Sequence, residues 1–149
     1  MKSANVIHIA AHGYANPGMP MRSGVCLAGS ASGKAADQEL EAWEIASQMT
    51  LRASLVVLSA CESGVGESGG RGIVGLESAL RQSGAKTAIL SRWKVNDRST
   101  EQLMVEFHKA FAHQTPPAIA LRDAMRTVHD RKETERPYYW GAFTLFGGN

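Results

Sequence analysis

Two residues of this sequence combine a reactive side chain with a position that favours catalysis. His12 follows the apolar run at residues 6–11, and Cys61 follows the aliphatic run at residues 55–60. A free thiol has a pKa of about 8.5, so an imidazole that stabilises the thiolate raises its reactive fraction at neutral pH by roughly tenfold or more. The pair therefore predicts nucleophilic attack by the Cys61 thiolate on a carbonyl carbon, with His12 as the base.

The two apolar runs predict the strands that position this pair. Short, continuous aliphatic runs are typical of strands covered on both faces of a parallel sheet. Because ligands bind at the carboxyl ends of such strands, we expect His12 and Cys61 at the same edge. Gly13 permits close approach of its backbone N–H, and with the N–H of Cys61 it is a candidate for a two-donor oxyanion hole.

The rest of the chain alternates between strand and helix patterns, which predicts an α/β layer architecture with a mostly parallel sheet. We expect a strand-like piece at 25–28 in a loop and hairpin region. The segment 37–49 has helical spacing, with an irregular crossover over part of it as the alternative. We further expect a helix from Ile73 that stops at Gly84, a strand at 87–91, a helix through Leu103 and Phe111 capped by Asp97 or Ser99, a helix opened by Pro116 and Pro117, and a strand at 142–146.

Length and composition limit the function classes. A length of 149 residues is typical of a single domain. The formal net charge is +2 and the basic residues are dispersed along the chain, so no direct contact with nucleic acid is expected. The sequence has neither a membrane-spanning stretch of about 20 apolar residues nor a signal-peptide core, which predicts a cytoplasmic protein without membrane contact. Cys26 and Cys61 are expected to be unpaired thiols there.

Weaker signals point to other chemistry. Ser68 lies in a Gly-x-Ser-x-Gly pattern, but that motif needs a strand-to-helix turn, and the preceding strand has already ended at Cys61. Cys26 has no neighbouring His-Gly and is interpreted as a bystander. No metal is expected, because the remaining histidines lack ligand spacing with the cysteines. These histidines are His8, His108, His113 and His129.

Four segments resemble those of one known family. They are VIHIAAHG at 6–13, LVVLSACESG at 55–64, SRWKVND at 91–97 and PYYWGAF at 137–143. In this order they resemble the CHAT peptidases, caspase-like proteins that are frequently associated with TPR repeats and are similar also to separase. The resemblance runs from residue 6 to residue 147. The separation of His12 and Cys61 is also close to the roughly 50 residues between the caspase His and Cys.

The resemblance implies a caspase-like three-layer sandwich and a cysteine endopeptidase that cleaves protein substrates without a metal or an organic cofactor. By that resemblance His12 and Cys61 form the catalytic dyad, Gly13 contributes to the oxyanion hole, and Asp97 belongs to the pocket for the residue before the scissile bond. Trp93 is a candidate to line the substrate cleft, with core packing as its alternative. The implied partners are a protein or peptide substrate and a TPR or other regulatory protein.

The sequence departs from the family pattern at its start. A caspase-like sheet normally has two strands and a helix before the His-bearing strand, whereas this chain begins close to that strand. We therefore expect residues 1–149 to form the C-terminal portion of a CHAT peptidase domain that lacks the first strands. The alternative function is a catalytically silent interaction or regulatory module with the same fold.

Asp97 has two interpretations in this sequence. Its carboxylate can pair with a basic side chain of the substrate, a charge-assisted contact that is strongest with Arg. It can equally cap the helix that follows by accepting backbone N–H bonds.

Overall fold

The computed structural model describes residues 5–27, 39–62 and 71–148, and for residues 60–62, 71 and 72 it describes the backbone alone. Ser68 and the first two residues of the helix predicted at 37–49 lie outside these ranges. The strands are β1 (Val6–Tyr14), β2 (Gly24–Cys26), β3 (Glu39–Glu41), β4 (Leu55–Glu62), β5 (Thr87–Ser91) and β6 (Phe143–Gly147). The helices are α1 (Ala42–Gln48), α2 (Arg71–Gln82), α3 (Asp97–Ala112) and α4 (Pro117–His129).

The strands form one sheet in the order β3-β2-β1-β4-β5-β6. The central strands β1, β4 and β5 run parallel to one another. Antiparallel strands extend the sheet on both sides, β2 and β3 beyond β1 and β6 beyond β5. The parallel part predicted from the aliphatic runs is thus the centre of a mixed sheet.

Helices cover both faces of this sheet, so that alternate residues of β4 enter two different cores. Leu55 and Val57 pack with residues of α3 and α4, including the fully buried Phe107. Val56 and Leu58 pack on the other face with residues of α1 and α2. Each such aliphatic side chain contributes about 1.5–3 kcal/mol when fully buried. The predicted three-layer α/β sandwich is confirmed, and it agrees with a caspase-like architecture.

Two local predictions differ from the structure. Within the segment predicted as helix 37–49, Glu39–Glu41 pairs as an edge strand with β2, and the helix begins at Ala42. Pairing with β2 satisfies the backbone N–H and C=O groups of this segment. The helical spacing of its side chains gives no information about that pairing. The cap of α3 is Asn96, whose side chain accepts a hydrogen bond from the backbone N–H of Ser99, so the predicted caps Asp97 and Ser99 are wrong.

The glycine stop after α2 is confirmed. Gly84 has a φ of +99°, in the left-handed region that favours glycine. Its N–H donates to the carbonyl of Arg81, and the next residue, Ala85, donates to that of Leu80. These bonds end α2 and turn the chain into β5.

None of the helices within the described ranges has the length and apolar character required to cross a bilayer.

Gly75 marks a close approach between α2 and the 3-10 turn Pro20–Arg22, because a Cβ added there would overlap the Pro20 carbonyl group. Gly75→Ala gains about 1 kcal/mol of helix propensity. We expect the overlap to outweigh that gain and to lower the free energy of unfolding by about 1–3 kcal/mol net, measured by urea denaturation. Val74→Ala, at a 57% exposed position on the same helix, should change it by less than about 0.5 kcal/mol. A Gly75→Ala protein more stable than the starting protein would contradict this packing.

Candidate active site

The pairing of β1 with β4 sets the two predicted catalytic positions side by side. The parallel register runs from Val6 opposite Leu55 to Gly13 opposite Glu62, with His12 opposite Cys61. Neighbouring strands of a sheet lie about 4.8 Å apart. The positions of His12 and Cys61 therefore meet at the carboxyl end of the parallel strands. The catalytic roles of these residues, and of Gly13 in an oxyanion hole, stay predictions.

An open groove of about 1380 Å³ lies beside these positions. The exposed face of β1, with His8, Ala10 and His12, lines one side of the groove, and α3 lines another through residues such as Met104 and His108. His12 is thus reachable from solvent.

Asp97 lies at the first helical position of α3 and is exposed in the same groove as His12. Because Asn96 already caps the helix, the Asp97 carboxylate is not required for that role. Trp93 lies elsewhere, since it packs against the core formed with α3 and α4, and its indole N–H donates to the Tyr138 carbonyl at 3.3 Å. Of the two residues predicted to bind substrate, the structure brings Asp97 into the groove with His12, while Trp93 contacts the core.

Cys26 lies closer to the candidate site than the sequence indicated. In the antiparallel pairing of β1 with β2, Cys26 is the register partner of His12. It is half-buried and lines the same groove. His12 therefore has a cysteine position on each side, Cys26 on β2 and Cys61 on β4. The short run at 25–28 predicted a strand but carried no information about its register.

A chain of side-chain hydrogen bonds that no local sequence pattern predicts crosses the groove next to this site. His8 Nε2 lies 2.9 Å from Ser59 Oγ, and His8 Nδ1 lies 3.0 Å from His108 Nε2. The two imidazole rings are tilted at 32° with their centroids 5.1 Å apart. β1, β4 and α3 each contribute one residue, which joins the central strands to the helix that flanks them.

The environment keeps both imidazoles neutral at physiological pH. Burial lowers the pKa of His8, and the proximity of His108 lowers it further. Burial also lowers the pKa of His108. Part of the His8 side chain reaches solvent, and both of its ring nitrogens are engaged in hydrogen bonds. In this chain of bonds, one nitrogen of the neutral His8 ring donates and the other accepts.

The residue that follows Gly13 anchors the end of β1. The Tyr14 hydroxyl donates to Glu39 at 3.1 Å and to Glu41 at 3.4 Å, and Arg22 pairs with Glu41 at 3.2 Å. Burial and the two carboxylates raise the pKa of Tyr14, which stays a protonated donor. This network ties the end of the His12-bearing strand to the edge strand β3.

In the parts of the chain that the structure describes, no three side chains of His, Cys, Asp or Glu are grouped closely enough to hold a metal ion.

The lowered pKa values of His8 and His108 predict a pH-dependent stability. The unfolded chain takes up protons on these residues as the pH falls through about 6.5, before the folded chain does, so the free energy of unfolding should decline from pH 7 to pH 5. A His8→Gln/His108→Gln double variant should show a shallower decline in urea denaturation. Equal slopes in the two proteins would contradict the lowered pKa values of this pair in the folded protein.

Comparison with known protein families identifies the family of this chain. Residues 1–148 match the family model of the CHAT domain. Among curated proteins, no sequence matches the chain. The match spans nearly the whole chain, and the sheet sets the positions of His12 and Cys61 on adjacent strands. The chain belongs to the CHAT-domain family of caspase-like peptidases.

Proposed function

We propose that this protein is a cysteine endopeptidase that cleaves protein or peptide substrates through Cys61 and His12. The proposal rests on the parallel register, which pairs these two positions at the carboxyl end of β1 and β4. Membership of the CHAT-domain family and the exposure of His12 in an open groove support it.

In the proposed reaction, the Cys61 thiolate attacks the carbonyl carbon of the scissile peptide bond. His12 holds the proton taken from the thiol and donates it to the leaving amine as the C–N bond breaks. A water molecule, deprotonated by His12, then hydrolyses the thioester and frees Cys61. The backbone N–H groups of Gly13 and Cys61 are the proposed donors to the oxyanion of the tetrahedral intermediates.

The groove supplies the proposed binding site for the substrate. It extends from His12 along α3 to Asp97 and is open enough to admit an extended peptide. The exposed Asp97 carboxylate is not required as the cap of α3, because Asn96 fills that role. This supports pairing of Asp97 with a basic residue before the scissile bond. We place the activity in the cytoplasm and propose regulation by a TPR or other partner protein, as the family resemblance implies.

The choice between the two cysteines is tested by site-resolved alkylation with a thiol-directed probe under single-hit conditions. Cys61 should react at least about tenfold faster than Cys26, because a thiolate paired with an imidazole is enriched at neutral pH. His12→Ala should remove that difference, whereas His113→Ala, at the far end of α3, should retain it. Slow labelling of both cysteines in all three proteins would favour the alternative, a silent interaction or regulatory module.

Turnover of a peptide library gives the matching functional test. Cys61→Ala should lower kcat by about 10⁴-fold or more with the fold intact, because the nucleophile is lost. Cys26→Ser should stay within a few-fold of the starting protein. If Cys26→Ser removes turnover and Cys61→Ala does not, the nucleophile is the cysteine on the other side of His12.

The role of Asp97 is tested by its amide variant, which keeps the shape of the side chain and removes its charge. Asp97→Asn should reduce kcat/KM after Arg or Lys by about 10- to 100-fold and leave other cleavages unchanged, because a charge-assisted bond of about 1.5–3 kcal/mol is lost. The stability of α3 should fall by no more than about 0.3–1 kcal/mol, the contribution of a carboxylate in the first turn, since Asn96 is the cap. A library profile without a basic preference in the starting protein would remove Asp97 from the pocket.

A further inference from the structure

We propose that Ser59 is a second nucleophile of this protein, activated by His8 and supported by His108, and that it accepts acyl groups from small esters. The geometry points to this through three side chains on three elements, joined by hydrogen bonds of 2.9 Å and 3.0 Å. The site is separate from the dyad, because it uses a different nucleophile and a different base.

The connectivity of the three side chains is that of a nucleophile, a base and an orienting group. His8 faces Ser59 with Nε2 and His108 with Nδ1. In serine hydrolases the base takes the serine proton on Nε2, while a third group holds the ring through Nδ1. For His8 to act as the base, Nε2 of His108 must accept the Nδ1–H bond while Ser59 Oγ–H donates to the unprotonated Nε2 of His8.

The protonation state suits this role. A base must be neutral to accept the serine proton, and partial burial lowers the pKa of both histidines, which favours their neutral form. The second imidazole also restricts rotation of the His8 ring, and when its Nε2 accepts the Nδ1–H bond, His8 presents a free lone pair to Ser59.

The three side chains line the open groove rather than the interior of a core. Ser59 retains 8% of its exposure, His8 is exposed, and the residue opposite Ser59 in the sheet is Ala10, whose methyl group leaves room above the hydroxyl. Met104 and Val105 of α3 give the groove an apolar wall. This combination suits a short aliphatic acyl group carried by an ester of a good leaving group.

The proposed reaction balances within these residues and water. Ser59 Oγ bonds to the acyl carbon while its proton moves to His8 Nε2, and the carbon–oxygen bond to the leaving alcohol then breaks as the alcohol takes that proton. Water, deprotonated by His8, attacks the acyl-serine, which releases the carboxylic acid and restores Ser59. No oxidant, metal or further reactant is required.

The test uses the full chain with Cys61→Ala, so that the proposed peptidase nucleophile is absent, and a fluorophosphonate probe whose adduct is located by mass spectrometry. The probe should label Ser59, and p-nitrophenyl butyrate should be hydrolysed by the same protein. Ser59→Ala should lose both signals. Ser54→Ala should lose neither, because the Ser54 hydroxyl donates to the Asn5 carbonyl instead of facing an imidazole.

Variants of the two histidines separate a chemical role from a structural one. His8→Ala should reduce the labelling rate by roughly 100-fold, in the range of a lost general base. His108→Leu should reduce it roughly tenfold, whereas His108→Gln, which can still accept the Nδ1–H bond, should stay within a few-fold. The labelling rate should rise with pH through the lowered pKa of His8 and level off above about 6.5.

Absence of a Ser59 adduct in a protein that is folded by circular dichroism would overturn the proposal, as would equal labelling of Ser59 after His8→Ala. The result is independent of the dyad. Failure of Cys61 to react would leave Ser59 labelling unchanged, and failure of Ser59 to react would leave Cys61 alkylation unchanged.

Discussion

The parallel pairing of β1 with β4 is the constraint on which the rest of the molecule depends. Side chains alternate between the two faces of a strand, so a shift of one residue would move every β1 side chain to the opposite face. The observed register sends Ile7 and Ile9 into the core with α1 and α2, while His8, Ala10 and His12 face α3. The hydrophobic effect thus fixes the register, and the register sets His12 opposite Cys61.

The same constraint places several polar groups on one face of the sheet. Ser59 lies opposite Ala10, two positions before Cys61 on β4, and His8 reaches Ser59 across the strand pair. His108 joins them because α3 is packed through Leu103 and Phe107 against the centre of the sheet. Polar chemistry is concentrated along the groove, while the neighbouring strand residues are fully buried aliphatic side chains.

The sequence predicted the features that local pattern determines. The continuous aliphatic run at 55–60 identified β4, Gly84 ended α2, and the motifs around His12 and Cys61 indicated the family. Features that depend on distant partners were not predictable. Cys26 came opposite His12 through the register of a three-residue strand, and His8 meets His108 across 100 positions of sequence. From the sequence alone Asp97 was also a plausible cap of α3, whereas the structure has Asn96 in that role.

We propose that the β1–β4 register couples His12 to the Cys61 thiol, and the decisive measurement is the rate of Cys61 alkylation between pH 5 and 9. The measurement uses a Cys26→Ser background, with and without His12→Ala. With His12 present, the rate should already be high at pH 6 and change little to pH 8, because the imidazole stabilises the thiolate. Without His12, the rate should rise about tenfold per pH unit toward the ordinary thiol pKa of about 8.5. The same steep profile in both proteins would show that His12 does not stabilise the Cys61 thiolate.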